Sequence, residues 1–185
     1  MSTILLDAGI ELLSGTMFNY NDPASSDVTI DDIASALSNV CRFAGHLPRF
    51  YSVAQHAVNV SLIVDQAHRK AGLMHDTAEA FTNDLPTPLK WAVPVFKQLE
   101  VSIESAMGEK FGFQYPLSAE VKYADAQMLL IEKEDIKQCF AHWEVLDGIE
   151  VTELDRAKVM IAPMTPEQAK AAFLMRWEEV RHDAA

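Results

Sequence analysis

Apolar positions recur at helical spacing through most of this chain, and the gaps between the runs fall at capping residues, glycines and prolines. Ile33, Ala36, Leu37 and Val40 form one stripe behind Asp31 and Asp32, with Thr29 placed to cap them, which predicts a helix over 30–40. Ser52-Val-Ala-Gln55 has the form of a capping box and predicts a helix through Val53, Ala57, Val60, Ile63 and Val64 to about residue 66. Another is predicted over 69–81, ended by Asn83-Asp-Leu-Pro-Thr-Pro88, whose prolines disfavour helix at the residues before them. Pro94 opens a helix with the stripe Phe96, Leu99, Ile103, Ala106 and Met107, stopping near Gly112. Ser118 caps a segment carrying Val121, Ala124, Met128, Leu129 and Ile131, and the capping box Thr165-Pro-Glu-Gln168 opens a last helix through Ala169, Phe173, Trp177 and Val180. Ile4 to Leu13 reads as a short helix or strand, broken by Gly15 and the polar run from Asn19 to Pro23. Period-two alternation is scarce and no internal repeat is found, so the expected fold is all-α.

Composition narrows this picture. At 185 residues, 49% apolar and with 7 Gly and 8 Pro, the chain suits one folded domain with a real core and little room for disorder. A formal charge of −12 argues against an extended nucleic-acid surface, which needs many Lys and Arg to neutralise phosphates. A small anionic ligand stays compatible with it, because a metal and a few basic side chains can make a local positive site. Cys41 and Cys139 fit no zinc pattern or disulfide framework and read as reduced core cysteines. No apolar run approaches a membrane span, and Asp7 and Glu11 interrupt the N-terminal apolar residues without a basic segment before them. The expected location is therefore cytoplasmic.

The chemistry concentrates between Gly72 and Lys90, where His75, Asp76 and Glu79 stand in a run that also holds Leu73, Met74, Ala78 and Phe81. On a helix, His75 and Glu79 lie four apart and Asp76 and Glu79 three apart, so their side chains converge. Unpaired carboxylates buried there would cost several kcal/mol, roughly, whereas a bound cation compensates the charge and uses the imidazole as a ligand. A helix-surface ion pair is the ordinary alternative for a His-Asp pair. His56, in the second turn after Ser52, and Asp125, flanked by Ala124 and Ala126, are the other polar intruders. Singly they read as a satisfied core histidine and a solvated aspartate; together they suggest a site.

His56, the His75-Asp76 pair and Asp125, in the order H…HD…D, resemble the metal signature of the HD-domain phosphohydrolase superfamily. More narrowly, Tyr51-Ser-Val-Ala-Gln-His56, His75-Asp-Thr-Ala-Glu79, Asn83-Asp-Leu-Pro-Thr-Pro-Leu-Lys90 and Val121-Lys-Tyr-Ala-Asp125 are similar to bacterial 5′-deoxynucleotidases and to related phage and bacterial HD hydrolases that include dATP triphosphohydrolases. The resemblance covers roughly residues 29–135, with the two ends packing on that core. It implies a helical HD-domain bundle, with His56, His75, Asp76 and Asp125 as ligands of one divalent transition metal: Mn, Co, Fe, Ni or Zn. It implies hydrolysis of 2′-deoxynucleoside 5′-phosphates, with orthophosphate or triphosphate released, by water activated at the metal. Glu79 and Asp84 take the catalytic carboxylate positions, one acting on the water and the other on the leaving oxygen. Arg42 would grip phosphate and Phe43 would lie against sugar or base, though the gap from this pair to His56 differs from the family's by about one residue. His46, Arg49, Lys90 and Lys122 are further candidates for phosphate contact. On the resemblance alone, a homodimer or higher homo-oligomer is expected.

The other polar positions read as structural. His68, His142 and His182 are expected to face solvent, Glu132-Lys-Glu-Asp135 to be a solvated helix face, and the methionines to fill the core. Trp91, Trp143 and Trp177 read as packing residues, Trp91 standing close enough to the Pro-Leu-Lys turn to edge a pocket. The alternative to an enzyme is a non-catalytic HD-type module that binds nucleotide or metal as a sensor; retention of both Glu79 and Asp84 counts against it.

Overall fold

The computed structural model, which describes residues 9–183, is helical apart from one hairpin and the connecting loops. Strands β1 (Gly9–Glu11) and β2 (Met17–Asn19) pair antiparallel with Ile10 opposite Phe18. They lead into helices α1 (Ile30–Asn39), α2 (Val53–Ile63), α3 (Arg69–Met74), α4 (Glu79–Thr82), α5 (Thr87–Ala92), α6 (Pro94–Phe111), α7 (Ala119–Ile131), α8 (Glu153–Lys158) and α9 (Pro166–Val180). The all-α class is thus as expected. Only residues 9–13 of the opening run 4–13 are described, and they hold a strand. Within the described residues no helix is long and apolar enough to cross a membrane.

Caps set the helix starts as the sequence implied. Thr29 and Thr165 each close a reciprocal capping box, Ser118 accepts from the Val121 N–H, and Gly112 ends α6 in the left-handed region at φ +67°. Ser52 accepts from the Gln55 N–H, but the reciprocal half of that box is not made. The Gln55 amide instead donates to the carbonyls of Met160 and Ala162 and accepts from the Met164 N–H, tying α2 to the segment before α9. Because α2 is covered by α1, α3, α7 and α9, all its residues but Leu62 are buried, which is what a helix without a polar stripe requires. At Gly72 a Cβ would lie 3.2 Å from the Ser61 Cα and 3.0 Å from a Val64 methyl, so the missing side chain lets α3 close onto α2.

Several expectations are corrected. Helix α2 ends at Ile63, short of residue 66. The helix expected over 69–81 is two pieces: past Met74, the N–H groups of Thr77, Glu79, Ala80 and Phe81 bond three residues back. His75 Nδ1 bonds the Gly72 carbonyl and the Thr77 hydroxyl donates to that of Met74, so side chains occupy acceptors that the next turn would have used. The proline run holds α5, for which the helical stripe gave no sign. Cys41 and Cys139 are free but only half-buried, and Trp91 is 76% exposed instead of packed.

The Asp32 carboxylate joins the hairpin to α1, accepting from the Ser14 N–H at 2.9 Å and from the Thr29 N–H and hydroxyl at 3.0 and 2.7 Å. Burial pushes its pKa up, but those hydrogen bonds outweigh it and hold the carboxyl below the ordinary aspartate range. A depressed folded pKa means that the contribution is complete above the unfolded value and is lost as pH falls through the folded one. Asp32→Ala is therefore expected to cost about 2 kcal/mol at pH 7, and the gap from the parent should close as pH drops below the usual aspartate range, as read from urea midpoints across pH.

Candidate metal centre

Three separate elements bring the ligand candidates together: α2 supplies His56, the turn after α3 supplies His75 and Asp76, and α7 supplies Asp125. His56 Nε2 lies 3.2 Å from His75 Nε2 and 3.0 Å from Asp125 Oδ1. One ligand atom from each of His56, His75 and Asp125 falls within 4.8 Å of the others. Asp76 Oδ2 stands 3.2 Å from His75 Nε2 and 3.6 Å from His56 Nε2. Both imidazoles are buried while the Asp125 side chain is 43% exposed, so the cluster is closed on the α2 side and open on the α7 side.

Behind His56 stands Glu132, expected on a solvated face but enclosed by the fold. The residue is fully buried at the end of α7, where a π-helical turn spans Glu132–Ile136. Its Oε1 pairs with His56 Nδ1 at 2.7 Å, and its Oε2 accepts from Arg42 Nε at 3.0 Å in an ion pair that also brings Nη2 to 3.0 Å. The buried Tyr51 hydroxyl accepts from the Asn59 amide at 2.9 Å, and burial together with the charge of the same carboxylate pushes its pKa well up. With Nδ1 committed to Glu132, Nε2 is the nitrogen turned to the ligand cluster, the arrangement in which a carboxylate orients a metal-bound histidine. One signal was present in the sequence: Glu132 is seven residues after Asp125, hence on the same face of a helix. The rest of that run does meet solvent or Arg156, which pairs with Glu134 and Asp135.

Beside the cluster lies a cavity of about 310 Å³, lined by His75, Asp76, Glu79 and Asp125 of the centre, by Lys90 and Lys122, by Lys97, Glu100, Val101 and Glu104 of α6, and by Tyr115, Pro116 and Leu117. The size is that of a small-molecule site. Lys90 bridges two buried carboxylates, 3.2 Å from Glu79 Oε1 and 2.7 Å from Glu100 Oε1. The second oxygens of both glutamates are buried without a hydrogen-bond partner.

The remaining candidates divide. Lys90 and Lys122 line the cavity, whereas Asp84, His46 and Arg49 do not. Asp84 instead accepts from the Phe43 N–H at 3.2 Å, fixing a loop in which Phe43 and Ala44 are both left-handed, at φ +57° and +50°. Arg42 is buried and turned inward to Glu132, with Nη1 3.6 Å from Asp76, so its fork is not presented to a ligand as expected. Phe43 packs beside Trp143 at 6.1 Å between ring centres, under the Lys137 ammonium. His46 and Arg49 are exposed, as are His142 and His182, while His68 is half-buried.

The electrostatics favour a cation. Burial disfavours charge on His75, yet Asp76 and Asp125 raise its pKa well above the ordinary value; His56 is raised too, burial and Arg42 being outweighed by Glu132 and Asp125. Burial works against the carboxylates, but the imidazoles hold Asp76 and Asp125 below the usual range. Glu79 goes the other way: burial, then the charges of Asp76 and Asp84, push it well up despite Lys90. Two imidazoles and two carboxylates match the donor set of a borderline divalent metal, and the carboxylates that attract protons would serve a metal equally.

No protein-family model matches the chain. It is 42% identical over 172 residues to the Escherichia coli (strain K12) protein YfdR, covering 92% of this chain and 94% of that one. It is 29% identical over 185 residues to RCAP_rcc00048 of Rhodobacter capsulatus, covering 89% of this chain and 91% of the relative. The chain belongs to the same family as YfdR. Neither relative's name states an activity.

Titration of the chelator-treated protein with Mn or Co is expected to give one binding event, lost in His56→Ala. Glu132→Gln should weaken it about 10- to 100-fold while leaving all four ligands in place. Because the imidazoles bind protons above their ordinary pKa, a metal must displace those protons. Its affinity should therefore fall as pH falls, by up to about tenfold per unit for each proton displaced, as followed by calorimetry between pH 8 and pH 6.

Proposed function

We propose that the protein is a metal-dependent phosphohydrolase of the HD-domain type, acting on 2′-deoxynucleoside 5′-phosphates. The observation that carries this reading is the meeting of His56, His75, Asp76 and Asp125 on the edge of a cavity that also holds Glu79 and three lysines. The motif resemblance supplies the substrate class.

A divalent cation held by those four residues would supply Lewis acidity toward a phosphate oxygen and lower the pKa of a water molecule. The chain's own groups supply the rest. Acidic side chains dominate the cavity wall, so an ester phosphate would be repelled there by the residues alone and needs both the cation and the lysines. Lys122, on the α7 side, is placed to meet phosphate charge. Glu79, whose carboxyl is pushed well above the ordinary glutamate range by burial and the nearby carboxylates, is the side chain disposed to carry a proton to the leaving ester oxygen. Lys90 holds that carboxyl in position through Oε1. Asp84 stiffens the Phe43 loop, and Arg42 acts through Glu132 and Asp76 by fixing the centre.

Metal-loaded protein is expected to release phosphate from a panel of dNMPs and dNTPs, with chromatography of the products separating orthophosphate from intact triphosphate. Glu79→Gln should lower kcat by about 10²- to 10⁴-fold with metal content unchanged. Tight nucleotide binding without turnover would instead fit the sensor module.

A further inference from the structure

We infer that the α6 wall of the cavity, where Glu100 keeps a buried carboxylate oxygen without a hydrogen-bond partner, accepts a hydroxyl or amino donor from the organic half of the phosphate ester. This rests on the phosphate-ester reading above and adds how the ester is oriented and told apart from its relatives.

Helix α6 turns Lys97, Glu100, Val101 and Glu104 to the cavity, at the three- and four-residue spacing of one helical face. Glu100 is 2% exposed. Lys90 occupies its Oε1 at 2.7 Å, while Oε2 is 3.7 Å from Lys97 Nζ, too far for a hydrogen bond. A buried carboxylate oxygen left this way is under-satisfied, and a ligand entering the cavity can supply the missing donor. One turn on, Glu104 also lines the cavity, so the acceptor-rich character continues along the wall. An acceptor-only carboxylate repels phosphate and welcomes O–H or N–H. The ligand cluster and the α6 residues of the cavity wall therefore prefer opposite ends of a nucleotide: phosphate toward His75, Asp125 and Lys122, nucleoside toward Glu100. A 2′-deoxynucleotide offers two such donors, the sugar 3′-hydroxyl and an exocyclic base amine.

The probes are non-hydrolysable 5′-methylenephosphonates of 2′-deoxyadenosine, 2′,3′-dideoxyadenosine and purine 2′-deoxyriboside, titrated calorimetrically into the full-length Co-loaded protein, with inorganic phosphate alongside. Loss of the donor that Glu100 accepts is expected to weaken binding about tenfold or more, and the analogue that shows the penalty identifies which donor it is. In Glu100→Gln that penalty should shrink to about threefold or less, because a neutral acceptor makes roughly half as strong a bond, while the Kd of inorganic phosphate stays within about twofold. Glu100→Asp, which withdraws the acceptor by one methylene, should reproduce the effect and serves if the amide variant does not fold. Equal binding of all three probes by the parent protein, or an identical penalty in both Glu100 variants, would overturn the inference. Failure of inorganic phosphate and every probe to bind would overturn the phosphate-ester reading, and this inference with it.

Discussion

The centre of this molecule depends on one buried carboxylate. Glu132 has no access to water, so both of its oxygens must find partners inside, and the partners are His56 on one and Arg42 on the other. That pairing joins the end of α7 to the middle of α2 and to the loop after α1, the segments that carry or border the ligand candidates. Removing one member of such a set leaves the others buried and uncompensated, which is why the cluster acts as a unit. The orientation of His56 follows directly: with Nδ1 held, its other nitrogen faces His75 and Asp125 at 3.2 and 3.0 Å.

Closeness of α2 and α3 is the second requirement. Gly72 removes the side chain that would separate them, and its carbonyl then holds His75 Nδ1, so one residue both permits the approach and fixes the second imidazole. The tightened turn that follows rotates Asp76 toward the imidazoles and sends Glu79 to Lys90 in the cavity. A continuous helix through this stretch would have kept a regular progression of faces. The local shift to bonds three residues back changes that progression where the site needs it.

Charge is distributed unevenly across the centre and its cavity. Imidazoles drawn toward protonation and carboxylates drawn toward ionisation mark the ligand cluster, while Glu79, a few residues away, is pushed toward its neutral form. Two carboxyl environments of opposite sense in one cavity are the ordinary physical basis for dividing electrostatic and proton-carrying work between side chains. In this frame the lysines of the cavity act locally, and the net charge of −12 says little about what binds there.

Helices α1, α6, α7 and α9 were legible because their caps and apolar stripes are local properties, set by hydrogen bonds and contacts three or four residues apart. The same holds for the four ligand candidates, whose residue types were conspicuous in apolar surroundings. Whether they meet was not local: that required α2, α3 and α7 to pack, with contacts spanning 19 to 69 residues. The inward turn of Arg42, the burial of Glu132 and the exposure of Trp91 were likewise decided by packing. A charged run such as Glu132 to Asp135 looks solvated until a distant helix covers one of its members. Sequence alone thus determined an all-α chain and the residue types of the candidate ligands; tertiary structure decided which of them share one space, because burial and long-range pairing are properties of neighbours the local chain does not contain.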